Sequence, residues 1–355
     1  MSFLTRLLQR MSSHASSDLF LATGHKPALR TYGTIELTSN SVLPHGHTEK
    51  ITRQILNEEQ WDILQRTREI NVGIKIANVG RFRVNVFFQR NDISLVFRSI
   101  PPDIPAFETL GLPQTLLSVV MQKTGLILVV GPTSSGKSTT LASLIDHRIK
   151  QTRNHVITLE DPIEYAFDQE ESVVNQREVG SDTLSYHDGL VNALRQSPDV
   201  LMVGEIRHSD IMEEVIDFAD TGHLCLATMH ANSVTQAIER VIHMFPGETR
   251  HTLCSRLAQN LRCVISQRLL PSLDSKVVVG VELMVCSPAI RDLISRGEFS
   301  GIKRIMEGDM NDGMQCMDEA LYNLYKEQKI SQDVALQFAE SENNLRLKMR
   351  LENRK

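Results

Sequence analysis

Ten consecutive residues constrain this chain more than anything else in it: Gly131-Pro132-Thr133-Ser134-Ser135-Gly136-Lys137-Ser138-Thr139-Thr140. They fit the pattern G-x-x-x-x-G-K-[ST], directly after an apolar run at 126–130 and directly before a helix-like run at 141–149. The chemistry explains the spacing. The two glycines let the backbone wrap with its N–H groups facing inward, where they and the helix N-terminus cradle phosphate oxygens. Gly131, Pro132, Thr133, Ser134, Ser135, Gly136, Lys137, Ser138 and Thr139 then line a polyphosphate. Lys137 reaches the β- and γ-phosphates, and Ser138 offers its hydroxyl to Mg²⁺. The implied ligand is a nucleoside triphosphate.

Short apolar runs at 126–130, 156–159, 200–203, 224–227 and 277–281 alternate with helical stretches. Continuous apolar strands separated by helices predict a parallel sheet covered on both faces, an α/β fold. Residues 1–100 read differently, as a small α+β unit. The alternating stretches 81–87 and 93–98 predict half-buried strands of an antiparallel sheet, with a helical segment near 49–64 carrying Trp61. Residues 1–17 contain Arg6, Arg10, several serines and no acid, the composition of a transit peptide. The reading preferred over it is an amphipathic helix with Phe3, Leu4, Leu7, Leu8 and Met11 on one face. Pro101, Pro102 and Pro105, with Pro113 beyond, predict a stiff extended linker over 101–113. The expected domains are therefore 1–100 and 114–355. From 317 onward the chain reads as helical, with a stripe of Leu321, Leu324 and Tyr325, an N-cap at Ser331, and a basic tail of Arg346, Lys348, Arg350, Arg354 and Lys355.

Composition narrows the partners. With 38 basic against 43 acidic residues the net charge is -5, and aromatics are only 5%. No basic–aromatic stretch offers a nucleic-acid path, so none is expected. No apolar run approaches the ~18 residues of a membrane span. Cys225, Cys254, Cys263, Cys286 and Cys316 form no CxxC pair and read as reduced thiols.

A loop that holds phosphates needs carboxylates for the metal and the attacking water. One set ends the apolar run at 200–203, where Gly204 is followed by Glu205. Another is Thr158-Leu159-Glu160-Asp161-Pro162-Ile163-Glu164, where Pro162 turns the chain out of the sheet at a strand's C-terminal edge. His223 and His230 flank a third run; their spacing suits no zinc site, and an odd separation on one strand points them to opposite faces.

Together these segments resemble the secretion-ATPase superfamily, and within it the type IV pilus retraction ATPases, the PilT/PilU group. The matching strings are Walker A (131–139), an acidic box (158–165), Walker B (Val203-Gly204-Glu205-Ile206-Arg207), a histidine box (221–230) and Ala289-Ile290-Arg291-Asp292-Leu293-Ile294, similar to the retraction signature AIRNLIRE. Ser17-Asp18-Leu19-Phe20 and Arg81-Phe82-Arg83-Val84-Asn85 are similar as well. The resemblance implies a PAS-like N-terminal domain followed by a RecA-like P-loop ATPase domain, assembled as a homo-hexamer that uses ATP and Mg²⁺. Glu164 would position or activate the water, Glu205 would hold Mg²⁺ or its water, His230 would sense the γ-phosphate, and Arg83 and Arg98 would act as arginine fingers. Spacing leaves open whether Glu160, Glu164 or Glu205 is the base. The implied role is pilus retraction from the cytoplasmic side of the inner membrane, against a platform protein at the pilus base. Asp292 and the 224–232 segment lean toward the PilU-type branch, which acts alongside a second retraction ATPase. The other readings are a ring subunit with slow hydrolysis and a pilus or type II secretion assembly ATPase. The latter typically carries a paired-CxxC zinc element that this sequence lacks. Ser134 stands where the family usually has glycine, which narrows the φ range of the loop.

Overall fold

The computed structural model describes residues 3–14, 16–31, 34–100, 103–168, 171–274, 277–308 and 313–352. Pro101, Pro102, Arg354 and Lys355 lie outside them. The chain divides into two compact units, Met1–Asp103 with Pro162–Ala166, and Ile104–Asp161 with Phe167–Lys355.

The first unit contains six strands: β1 (Asp18–Ala22), β2 (Ala28–Thr31), β3 (Thr34–Leu37), β4 (Glu69–Ile76), β5 (Gly80–Gln89) and β6 (Asp92–Ile100). They form one antiparallel sheet in the order β3-β2-β1-β6-β5-β4. Alternation is plain in β5, where Phe82, Val84 and Val86 are buried and their neighbours are not. The period of two puts every second side chain on one face, so an alternating sequence becomes a one-sided sheet. Helix Phe3–Ser13 packs Leu4, Leu8 and Met11 into the same core. The stretch expected as a single helix near 49–64 is two, His47–Ile55 and Glu58–Thr67. Asn57 is the reason. Its side chain accepts from Gln60 N–H at 2.8 Å while Gln60 accepts from Asn57 N–H at 3.1 Å, a capping box that restarts the helix.

The second unit holds β7 (Gly125–Val130), β8 (His155–Glu160), β9 (Val173–Glu178), β10 (Val200–Val203), β11 (Leu224–Met229), β12 (Leu261–Pro271) and β13 (Val277–Val285), in the order β13-β12-β7-β11-β10-β8-β9. Every pairing is parallel except β12 with β13. The run at 277–281, read from sequence with the parallel strands, is thus an antiparallel edge, because it returns from β12 as a ribbon rather than through a helix. The sheet carries a core on each face. Leu126, Leu128 and Val130 of β7 enter one, and Ile127 and Val129 the other. That two-sided burial is why β7 is apolar throughout, each such side chain contributing roughly 1.5–3 kcal/mol.

The proline-rich stretch does not stay extended. It tightens into a 3₁₀ turn at Phe107–Thr109, and Phe107 and Leu112 are buried in the second unit's core. Three helices close the chain, Met317–Lys326, Gln332–Phe338 and Glu342–Glu352, and Ser331 accepts from Val334 N–H as the second one's N-cap.

Candidate functional site

The strands β7, β8, β10 and β11 all end at one edge of the sheet, which brings four of the sequence motifs to a single rim. β7 leads into the loop of residues 131–136, and helix Lys137–Ile149 begins directly after it, with Gly136 as N-cap at φ 88. Gly131 has φ 151, and a Cβ there would lie 2.4 Å from the Gln267 carbonyl oxygen and 2.5 Å from Ser135 Oγ. Only glycine can pass so close to the β12 backbone. Ser134, the departure from glycine, sits at φ 62, so an L-residue here carries left-handed strain. Pro132, Thr133 and Ser134 are exposed, Ser135 is buried, and Ser138 and Thr139 are half-buried on the first helical turn. Lys137 Nζ lies over the loop, donating to the carbonyls of Gly131 (3.1 Å) and Pro132 (2.8 Å). A concave loop, a helix N-terminus and a lysine ammonium above them form a cradle for anionic phosphate.

At the end of β10, Gly204 N–H donates to Leu159 O at 2.8 Å, and the Gly204 carbonyl accepts from Thr228 Oγ1 at 2.5 Å. These bonds lock Glu205 between its neighbouring strands. Glu205 Oε2 accepts from Arg207 Nε at 2.7 Å, and the pairing raises the Arg207 pKa. Glu205 Oε1 lies 2.6 Å from His230 Nε2 and is otherwise buried without a hydrogen bond. Glu160, at the end of β8, is 7% exposed, and its Oε1 accepts from Thr158 Oγ1 (2.6 Å) and Gln176 Nε2 (3.2 Å). Glu160 thus accepts from Thr158 and Gln176, whereas Glu205 faces Arg207 and His230.

The two histidines part company along the strand rather than across it. His230 follows β11 and meets Glu205, whereas His223 precedes β11, bonded with Thr221 Oγ1 at 3.0 Å and edge-on to the Phe218 ring at 5.4 Å. Both lie outside β11 itself, so the alternation rule does not reach them. Arg83, Arg98 and Glu164 belong to the first unit. Within it, register aligns Arg30, Asp18, Arg98 and Arg83 across four strands. The nearly buried Asp18 holds Arg98 Nε at 2.8 Å, with Arg30 at 3.8 Å. Arg83 is half-buried, and Glu164 is exposed.

Two site residues escaped the sequence reading. Tyr186 opens helix Tyr186–Ala193, and a Cβ on Gly204 would stand 3.1 Å from its hydroxyl. Burial, reinforced by Asp161, pushes its pKa up, keeping the phenol protonated as a donor among carboxylates. Gln267 of β12 lies under the loop, 1% exposed, with Nε2 donating to Ser135 O at 2.7 Å. Neither carries a motif; for Gln267, a buried-strand position occupied by a Ser-Gln pair was the one available signal.

Residues 4–348 match the type II/IV secretion system protein family. The chain is 40% identical to the type IV pilus ATPase PilU of Pseudomonas aeruginosa, over 98% of this chain and 91% of PilU. It is 35% identical to the type IV pilus retraction ATPase PilT of the same organism, over 96% of this chain and 99% of PilT. Among solved structures, a crystal structure of the pilus retraction motor PilT with bound ADP superposes at a TM-score of 0.91 and 37% identity, covering 96% of this chain and 98% of that one.

Proposed function

The chain belongs to the type II/IV secretion system protein family, and from that premise we propose that it is an ATPase of the type IV pilus PilT/PilU group that drives pilus retraction as a homo-hexameric ring, acting beside a second retraction ATPase. The observation that carries this reading is one rim where the phosphate loop, Glu205 and His230 converge in a chain similar to PilU along nearly its full length. No helix among the described residues is long and apolar enough to cross a membrane. The ring is read as working on the cytoplasmic face of the inner membrane, against the pilus platform protein.

In this reading the loop N–H groups and Lys137 bind and orient the β- and γ-phosphates of ATP. Lys137 would exchange its two loop carbonyls for phosphate oxygens. Glu205 Oε1, buried without a hydrogen bond, and the Ser138 hydroxyl are oxygen donors that fit Mg²⁺. Bound there, the metal would supply charge neutralisation on the phosphates. Thr158 and Gln176 donate to Glu160 Oε1, which supports Glu164 as the general base in this reading, with His230 as the γ-phosphate sensor and Arg83 and Arg98 as arginine fingers. Aligning these groups with the attacking water supplies the rate, since phosphoryl transfer asks little covalent chemistry of the protein.

The test is Mg²⁺-dependent ATP hydrolysis by the purified chain and by Glu164→Gln, together with pilus retraction scored in cells. Hydrolysis by the wild type, its loss in Glu164→Gln, and a retraction defect that deepens when a second retraction ATPase is weakened are expected. An inactive wild type, with retraction unaffected by Glu164→Gln, overturns the motor.

A further inference from the structure

Gln267 lies outside every motif that marks the site. It is almost fully buried just past the last β7-paired residue of β12, and its amide Nε2 donates to the carbonyl of Ser135 at 2.7 Å. Both glycines of the loop crowd the same residue. A Cβ on Gly131 would come within 2.4 Å of the Gln267 carbonyl oxygen, and one on Gly136 within 3.0 Å of Nε2. Two polar atoms here, Gln267 Oε1 and Ser135 Oγ, are buried without a hydrogen bond. Buried polar atoms are nearly always paired, so two orphans beneath one loop call for a reason.

We propose that Gln267 is a positioning residue for the phosphate-binding loop, setting the orientation of the Ser135–Gly136 peptide. The inference deepens the nucleotide reading above and rests on it. A trans peptide is planar, with its C=O and N–H pointing in opposite directions. Drawing the Ser135 carbonyl down onto β12 therefore turns the Gly136 N–H away from the sheet, toward the side of the loop where phosphate is cradled. Gly136, at φ 88 and without a side chain, offers little resistance to a flip of that peptide. The restraint comes from outside the loop, and Gln267 supplies it. The amide presents its donor to Ser135 at the expense of its own oxygen, which is why Oε1 is left orphaned.

Phosphate N–H contacts serve ground state and transition state alike, so their misalignment weakens binding more than turnover. Gln267→Met keeps the length and shape of the side chain and removes the donor. Gln267→Glu keeps the shape and sets an acceptor against the Ser135 carbonyl. In the full-length protein, both variants are expected to raise the dissociation constant for N-methylanthraniloyl-ADP, measured by fluorescence, and KM for ATP about tenfold. The value of kcat should stay within about threefold of wild type. Nucleotide-free melting, followed by circular dichroism, establishes that each variant is folded. ADP should then raise the melting temperature of the variants less than that of the wild type. A folded variant of either kind with the wild-type dissociation constant and KM overturns the proposal, whatever its melting temperature, because Gln267 is then only a core residue. Failure of the wild type to bind ADP overturns the nucleotide reading itself, which keeps the two failures apart.

Discussion

Where β7, β8, β10 and β11 begin, polar side chains clamp loops. Arg148 donates to the carbonyls of Val120 (2.5 Å) and Gln122 (2.8 Å) and to Asn154 Oδ1 (3.0 Å). Asp199 accepts from His155 N–H, Arg262 donates to Thr124 O, and His223 rests on Thr221 and Phe218. Where the same strands end, the pattern reverses. Ser135 Oγ and Gln267 Oε1 are buried there without hydrogen bonds, and Lys137 lies on the loop's own carbonyls. The difference teaches where to look for chemistry in a sheet with the same apolar strands throughout. Pairing is near-complete at the edge that only has to hold, and incomplete at the edge whose remaining partner is a ligand.

The largest effect expected from this contrast is at Lys137. Lys137→Ala should lower kcat for ATP hydrolysis by about a hundredfold or more, as loss of a transition-state donor does, while leaving the fold intact by circular dichroism. Retained turnover would break the assignment of the ligand edge.

Next is Glu282, opposite Ser266 on β13, whose carboxylate accepts from Val234 N–H at 2.9 Å. Burial pushes its pKa up from 4.5 to about 7, against the pull of that N–H. Between these values the unfolded chain has lost the proton and the native chain keeps it, so stability falls as pH rises from 4.5 and levels off above 7. At ~1.4 kcal/mol per pKa unit the loss amounts to about 3 kcal/mol. Glu282→Gln should remove that descending limb in melting curves taken from pH 4.5 to 8. An unchanged pH dependence would show that the carboxylate is solvated.

The clamping edge should answer in stability alone. Arg148→Ala strands two carbonyls and is expected to cost about 2 kcal/mol in denaturant unfolding, with kcat per folded molecule unchanged. A fall in kcat at full folding would join the two edges functionally. The smallest effect is at His223. His223→Gln should change stability by less than about 0.5 kcal/mol and turnover by less than about twofold. A defect there comparable to that of His230→Gln would erase the distinction between the ends of β11.

Much of this site could be read before folding, because the phosphate loop is local. Its strand, glycines, lysine and helix occupy contiguous residues, and even Ser134, noted as a departure from glycine, marks a position that takes a positive φ. The walls of the site were less legible. Glu160 and Glu205 stood as equivalent acids after apolar runs, and only the lateral partners Thr158, Gln176, Arg207 and His230 distinguish them. Thr158 and Arg207 are near in sequence, but Gln176 of β9 and His230 after β11 are brought in by strand pairing, which single-chain periodicity does not align.

By itself the sequence determined the α/β layering, the phosphate loop and the contrast between an alternating sheet and a continuously apolar one. Each follows from short-range rules: side-chain period, glycine freedom and helix capping. Tertiary structure alone decided that β12 lies beside β7, that β13 runs antiparallel at the edge, and that Gln267 comes under a loop whose Ser135 lies 132 residues earlier in the chain. Strand order is set by burying two faces at once, and the hydrogen bonds that follow from it join residues that no local pattern relates.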